Sequence, residues 1–228
     1  MMKALITVAA LFATSAFNDS ELVKARDRQD RAALEKLAGE LRSQADKDSK
    51  DAAAQYRFAL AESYFAEVAI ETRDKAAAKN AAQAGIDAAE RAVNLKGDSS
   101  EYHRLLGTLC GQAVSANTLA ALKYGKCALS SVNRAIELDP KSSNNYLSHG
   151  VGNYYLPPAF GGGIELAIKD FRKAIELNPK NADAYLWLGV ALRKDNQNAE
   201  AHKALVKSLE LNPNRLWAKQ QLDKTPAQ

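Results

Sequence analysis

Aromatic residues are scarce in this sequence, and nothing in it indicates a β-strand. Phe, Trp and Tyr make up 7% of the 228 residues. No segment alternates apolar with polar residues, as a half-buried strand does. Alanine is abundant, and its small side chain lets helices approach closely. The composition therefore predicts a protein of packed α-helices.

Motifs that mark an enzyme, a metal site or a cofactor site are also missing. The sequence contains no HExxH, no Cys-x-x-Cys and no G-x-S-x-G around a candidate nucleophile. Gly161–Gly163 opens a helix, but Ile164 and Glu165 follow where a phosphate-binding loop needs Lys and Ser or Thr. We therefore expect neither catalysis nor a bound metal or cofactor.

Charge of one sign is not concentrated in any long run. The formal net charge is +4, and basic and acidic residues are interleaved. A nucleic-acid-binding surface needs a basic stripe. Nucleic acid is therefore not expected as a partner.

A short apolar run stands at the start of the chain. Lys3 precedes it, residues 4–13 form it, and the small residues Thr14, Ser15 and Ala16 follow. This order predicts a signal peptide over residues 1–16 and a mature protein that begins near Phe17, in the periplasm or outside the cell. The alternative is an N-terminal helix that packs on the rest. No later segment is apolar enough to cross a membrane, so stable insertion is not expected.

Three segments of the chain superimpose without gaps: Ala128–Pro140, Ala167–Pro179 and Ala201–Pro213. Each has small residues twelve and five positions before its proline and an apolar residue eight positions before it. These offsets fall on one face of a helix. The proline ends each helix because it lacks an N–H group and clashes with a preceding carbonyl. A fainter copy ends at Gly97.

The spacing of these segments predicts paired helices. Pro179 and Pro213 lie 34 residues apart, which is room for a helix over Ala182–Lys194 and another from Ala199 to Leu211. The two earlier intervals are longer. Their additional residues fall between the paired helices, around Val114–Gly125 and Pro157–Gly163. An apolar face at Leu34, Leu37, Ala38 and Leu41 predicts one helix from Ser20 to Ala45.

These helix pairs resemble tetratricopeptide (TPR) repeats. The resemblance rests on the Tyr185, Leu188-Gly189 and Ala201 positions and on the closing Asn212-Pro213. It covers residues 51–213 and implies an all-α solenoid of about four helix pairs. An N-terminal helix in residues 17–50 and a capping helix in residues 214–228 complete the expected domain.

The connector Tyr155–Gly163 adds a looser likeness. It is similar to one in exported bacterial TPR proteins, some of which resemble the T-component that accompanies TRAP-type solute transporters.

The concave face of such an array, lined by the first helix of each pair, is its usual binding surface. We expect Phe160 to pack beside Tyr154 or Tyr155 and to edge this groove. The candidate groove residues are Leu147, Val151, Tyr154, Tyr155, Phe160, Leu186, Val190, Arg193 and Lys194. The predicted function is protein or peptide binding. The alternative is a transporter accessory that holds a small ligand in the groove.

Cys110 and Cys127 are the two cysteines of the chain, one on each helix of a predicted pair. An exported protein meets an oxidising compartment, which favours a disulfide. Two buried free thiols are the alternative. The sequence leaves the two possibilities open.

Overall fold

The computed structural model describes residues 19–227. Residues 19–27 are helical (α1), and no β-strand occurs within the described range. The predicted signal peptide and Phe17 lie outside it. The further helices are α2 (Arg31–Lys47), α3 (Ala52–Glu71), α4 (Lys75–Leu95), α5 (Ser100–Ala116), α6 (Ala121–Leu138), α7 (Ser143–Tyr155), α8 (Ile164–Leu177), α9 (Ala182–Lys194), α10 (Asn198–Leu211) and α11 (Leu216–Asp223).

Successive helices pack as pairs: α3 with α4, α5 with α6, α7 with α8 and α9 with α10. The first helices of neighbouring pairs also contact one another, α3 with α5, α5 with α7 and α7 with α9. These first helices therefore form the inner layer of the array, and their partners form the outer layer. The prediction of an all-α TPR-type solenoid is confirmed.

The recurrent Asp-Pro and Asn-Pro ends have a direct structural cause. The side chains of Asp139, Asn178 and Asn212 each accept a hydrogen bond from the backbone N–H two residues on, at 3.0–3.2 Å. Asx turns of this kind reverse the chain, and the proline between the two bonded residues cannot continue the helix. Each motif therefore ends one outer helix and directs the chain into the next inner helix.

The N-terminal segment corrects the prediction of a single helix from Ser20 to Ala45. The chain turns between α1 and α2, with Gln29 at a φ of 54° and Asp30 capping α2 through a 3.0 Å bond from Ala33 N. The turns before α4 and α10 have the same form, with positive φ at Arg73 and Asn196. The first two helices therefore form a hairpin of the same kind as the other pairs.

The connectors before α6 and α8 are longer than these turns. Each contains a short 3-10 helix, Thr118–Ala120 in the first and Pro158–Phe160 in the second. In the second, Gly161 and Gly163 have φ of 86° and 123°, a region that side-chain-bearing residues rarely adopt. Gly163 N donates a 2.9 Å bond to Asn153 O, which ties the connector to the end of α7.

A disulfide joins helices α5 and α6. Cys110 on α5 and Cys127 on α6 are bonded, with their Cα atoms 6.0 Å apart. Cys110 lies in the hydrophobic core formed by the N-terminal helices. Of the two alternatives that the sequence left open, the structure contains the disulfide.

Gly189 sets the spacing of the last pair. A Cβ atom there would lie 2.6 Å from Leu205 Cγ and 3.0 Å from Ala201 O. We predict that Gly189→Ala lowers the free energy of unfolding by about 1–3 kcal/mol, because α9 and α10 must move apart.

Gly111, inside α5, is the matched control, because a Cβ atom there meets nothing within 4 Å. Gly111→Ala should be neutral or stabilising by up to about 1 kcal/mol, since alanine has the higher helix propensity. Urea denaturation of both variants measures the difference. Equal stabilities would show that close packing at Gly189 is not needed.

Candidate functional site

The concave face is closed in its middle by two arginines and four carboxylates, which together join the two ends of the array. Arg26, at the end of α1, donates from Nη1 to Asp183 on α9 at 2.8 Å and from Nη2 to Asp27 at 2.7 Å. Its guanidinium also lies over the Tyr64 ring, 5.1 Å from the centroid. The first inner helix therefore reaches the last one directly.

Arg215, which immediately precedes α11, makes the second link. Its side chain is 1% exposed. Nη2 donates to Glu67 at 2.7 Å and also contacts Glu71, both on α3. Nη1 donates to Glu71 Oε2 at 3.2 Å. Asn212 adds a 2.8 Å bond to Asp27. The C-terminal cap is thus bound to the N-terminal half of the array.

The buried charges in this cluster do not balance, since four carboxylates face two guanidinium groups. Burial raises the pKa of Glu71 to about 7; the Arg215 charge opposes the rise and the Glu67 charge adds to it. Asp183 behaves differently. Burial alone would raise its pKa, but Arg26 and Arg215 together hold that pKa below its usual value. Glu71 therefore takes up a proton more readily than Asp183 does.

An aromatic patch lies beside this cluster, formed by Tyr154 and Tyr155 at the end of α7, Trp187 on α9 and Trp217 on α11. The Tyr154 ring is 5.0 Å from that of Tyr155 and 5.6 Å from that of Trp187, and Trp187 is 5.1 Å from Trp217. Tyr155 is 48% exposed. Edge-to-face groups of this kind combine apolar area with polar edges that accept or donate hydrogen bonds.

Charged groups flank the aromatic patch on two sides. Lys194 Nζ lies 4.3 Å from the centroid of the Tyr154 ring. Burial raises the pKa of Tyr155 to about 12, and the charges of Glu71 and Glu67 contribute to that rise. The patch therefore meets the carboxylates of α3 on one side and a lysine on the other.

Several predicted groove residues are not available to a partner. Leu186 and Val190 are buried, and they pack with Leu205 and Ala218 inside the last unit. Leu147 and Val151 are half-buried, and like Tyr154 they pack against the neighbouring core cluster of α8 and α9. The assignment of Leu186 and Val190 to the groove surface is therefore corrected, whereas that of Leu147 and Val151 stays a prediction.

Arg193 is occupied by the C-terminal cap. Its Nη1 donates to Gln221 O and to Thr225 Oγ1, each at 3.0 Å, and its Nη2 donates to Gln221 Oε1 at 2.7 Å. The residue fastens the chain after α11 to α9. Of the predicted groove set on the inner helices, Tyr155 and Lys194 are exposed, and Leu147, Val151 and Tyr154 are half-buried.

Phe160 is placed differently from the prediction. Its side chain is 74% exposed. It borders a cavity of about 340 Å³ together with Leu129 on α6 and Leu166 on α8. His149 and Asn153 of α7 also line this cavity. The expected packing of Phe160 beside the two tyrosines is not found, because the side chain is largely exposed and the two tyrosine rings pack on each other and on Trp187.

Sequence reasoning missed Trp187 and Trp217 as surface residues and missed the arginine cluster entirely. Trp187 could have been found, since it lies two positions after Tyr185 on a helix whose register was known. The pairing of Arg26 with Asp183 could not, because 157 positions separate them.

Neither a metal site nor a membrane span is found in the described residues. In residues 19–227, no group of three or more His, Cys, Asp or Glu side chains is arranged to hold a metal ion. None of the helices there combines the length and the apolar character that a bilayer span needs.

Comparison with known families defines the class of protein. Residues 161–195 match the pattern described as TPR repeat, and residues 182–215 match that described as tetratricopeptide repeat. A longer match covers residues 20–156, more than half of the chain, and is described as regulator of microtubule dynamics protein 1-3. The chain therefore belongs to this family. No curated protein matches the sequence.

Solved structures agree with the fold. The crystal structure of a thermophilic TPR protein from Thermus thermophilus is similar with a TM-score of 0.61 at 14% identity, covering 85% of this chain and 90% of that one. YrrB, described as a TPR protein with an unusual peptide-binding site, covers 82% of each chain at 22% identity, with a TM-score of 0.42. The first likeness shows a shared fold. The TM-score of the second is too low to support any further conclusion.

Removal of the Arg215 guanidinium tests how strongly the cluster supports the fold. We predict that Arg215→Met lowers the free energy of unfolding by about 3–5 kcal/mol, because Glu67 and Glu71 are left without their buried partner. Arg172→Met is the control, since its ion pair with Glu200 is exposed and should contribute less than about 1 kcal/mol. Urea denaturation measures both. Similar losses in the two variants would contradict a dominant role for Arg215.

Proposed function

We propose that the protein is a binding scaffold and that the aromatic patch receives a peptide segment of a partner protein. The half-exposed Tyr155, held against Trp187 and Tyr154, carries this proposal. Tyrosine and tryptophan dominate the energetics of protein interfaces because they offer large, rigid contact area with a polar edge. Here they stand on the inner layer, where a partner can approach between the ends of α7, α9 and α11.

A peptide fits this surface better than a small solute does. A transporter accessory would need an enclosed apolar chamber around Tyr154, Tyr155 and Phe160, whereas Phe160 is 74% exposed and does not enclose the two tyrosines. The open patch is instead edged by ionic groups, Lys194 on one side and Glu67 on the other. Such a mixture of aromatic and charged groups suits an extended chain with backbone amides and side chains of both signs.

The ion pairs of the buried cluster favour binding over catalysis. The titratable groups of the cluster are bonded to one another within the fold. The Glu71 pKa of about 7 is accounted for by burial beside Glu67. The concave face therefore resembles a recognition surface more than a reaction site.

Membership in the microtubule-regulator family supports a second candidate function. On this hypothesis, the partner is a microtubule or a protein associated with one. Co-sedimentation of the purified chain with polymerised tubulin tests this directly. Protein that remains in the supernatant at tubulin concentrations well above the micromolar range would exclude direct binding to a microtubule.

The proposed location is an oxidising compartment, reached by export and removal of residues 1–16. The Cys110–Cys127 bond supports this, because disulfides are rare where thiols are kept reduced. A microtubule partner would require the reducing compartment instead, so the two candidates are separable. The intact mass of the native protein is informative: retention of Met1 would argue against export.

The binding proposal is tested on the protein partner recovered from native extract. We predict that Tyr155→Ala weakens its binding about tenfold or more, because truncation of an interface aromatic commonly costs over ~1 kcal/mol. Leu95→Ala is the control; Leu95 is a 44% exposed apolar residue at the end of α4.

The two tryptophans of the chain provide a local readout, because Trp187 and Trp217 both lie in the patch. Partner binding should shift their fluorescence in the wild type and in the control. Equal affinity of Tyr155→Ala and wild type, with no change in tryptophan emission, would place the partner elsewhere.

A further inference from the structure

The most exposed large apolar side chains of the described residues belong to the two long connectors. Leu122 is 94% exposed, Leu119 76% and Phe160 74%. Leu119 lies in the 3-10 helix before α6, Leu122 follows at the start of α6, and Phe160 ends the 3-10 helix before α8. None of the three helps to form a core cluster. The fold therefore does not need them, and their exposure calls for another explanation.

The two connectors lie at the same edge of the array. Each leads from an inner to an outer helix, and they belong to adjacent pairs, so the stacking of repeats places them side by side. The cavity near Phe160 shows that the outer helices of these two pairs are neighbours, because Leu129 of α6 and Leu166 of α8 line it together with Phe160. We call Leu119, Leu122, Leu129, Phe160 and Leu166 the connector surface.

Basic side chains accompany the connector surface. Lys123 and Lys126 lie on α6, and Lys169 on α8 borders the cavity. Among the described residues, none of these three lysines has a carboxylate within 4 Å; every ion pair at that distance involves other residues. Their charges are therefore available to an external anionic partner.

The chain around these connectors is poor in acidic residues. From Glu101 to Glu165 the acidic residues are Glu101, Glu137, Asp139 and Glu165, against Arg104, Lys123, Lys126, Arg134 and Lys141. Arg104 is paired with Glu101 and Arg134 with Glu137. Lys123, Lys126 and Lys141 are therefore the basic residues of this described stretch that have no carboxylate within 4 Å.

Nearby carboxylates reduce this charge in part. The carboxylate of Asp170, in the cavity wall, accepts hydrogen bonds from His149 at 2.8 Å and from Asn153 at 2.7 Å. These bonds satisfy part of its hydrogen-bonding capacity. Glu165, beside the second connector, is exposed. The negative charges of Asp87 and Glu90 on α4 attract Lys123. Lys126 and Lys169 are exposed, and within residues 19–227 neither has a carboxylate within 4 Å.

We propose that the connector surface docks onto an anionic lipid bilayer surface. Leu119, Leu122 and Phe160 would enter the interface between headgroups and acyl chains, and Lys126 and Lys169 would lie among the anionic headgroups. Shallow insertion of apolar side chains next to lysines is the usual chemistry of proteins that lie on a membrane without spanning it. The proposal concerns a surface distinct from the aromatic patch and does not depend on a peptide partner.

The arrangement favours a bilayer over a protein partner. The three exposed apolar side chains lie in or next to two separate connectors. Each of them can insert on its own into the fluid surface of a lipid bilayer. A protein partner normally requires a continuous, complementary apolar core with charges at its rim. In the connector surface, lysines alternate with the apolar tips on the same helix, as Leu122, Lys123 and Lys126 do.

Vesicle co-sedimentation of the described chain tests the proposal. The probes are phosphatidylcholine vesicles and vesicles that also contain phosphatidylglycerol. We predict binding to the anionic vesicles that weakens as salt is raised, since salt screens exposed charges. Leu122→Glu combined with Phe160→Glu should reduce this binding about tenfold or more, because two inserted apolar groups are lost and two negative charges are added.

The matched control is Leu95→Glu combined with Val206→Glu, which changes two exposed apolar residues elsewhere, 44% and 37% exposed, by the same chemistry. It should bind the anionic vesicles as the wild type does. Thermal melting verifies that both double variants are folded. The proposal is overturned if the wild type stays in the supernatant with anionic vesicles. It is equally overturned if the connector variant binds as tightly as the control.

Discussion

The buried contact between Arg215 and the two carboxylates of α3 is the constraint on which the rest of the structure depends. A helical-repeat array is held by contacts between neighbours, so its two ends are ordinarily independent. Here an arginine with 1% of its side chain exposed joins the last helix to the first third of the chain, and Arg26 repeats the link from the other side. The array is therefore a closed body, with a fixed inner surface.

This closure determines which part of the concave face can bind. The middle of the inner surface is filled by the arginines, Asp27 and Asp183. What remains accessible is the end where α7, α9 and α11 bring Tyr155, Trp187 and Trp217 together. A buried ion pair gains little over an apolar contact in stability, because desolvation offsets the Coulomb attraction. Its contribution here is geometric, since it sets the position of the capping helix and thereby of Trp217.

The sequence was sufficient to predict those helices whose ends are determined by local chemistry. Helix α9 begins and ends where the Asn178-Pro179 turn and the apolar pattern predicted, at Ala182 and Lys194. The first hairpin was missed, although Asp30-Arg-Ala-Ala and Asp74-Lys-Ala-Ala open α2 and α4 alike. Leu186 and Val190 were misassigned because the covering helix α11 had no known position. The direction of the Phe160 side chain depends on how the connector before α8 packs. The cluster around Arg26 and Arg215 depends on the curvature that accumulates over all the helix pairs. The spacing of residues in the sequence predicts neither.

Hydrogen–deuterium exchange on Asp183→Asn tests the closed array most directly. The substitution keeps the shape of the side chain but removes the charge that Arg26 binds at 2.8 Å. If the ends of the array hold each other, amides of residues 19–27 and of Leu216–Asp223 should exchange about tenfold faster together, since a loss of roughly 1.4 kcal/mol in a local opening equilibrium has that effect. Amides of α5, which lies outside the cluster, should be unchanged. Unaltered protection of residues 19–27 in the variant would contradict the account.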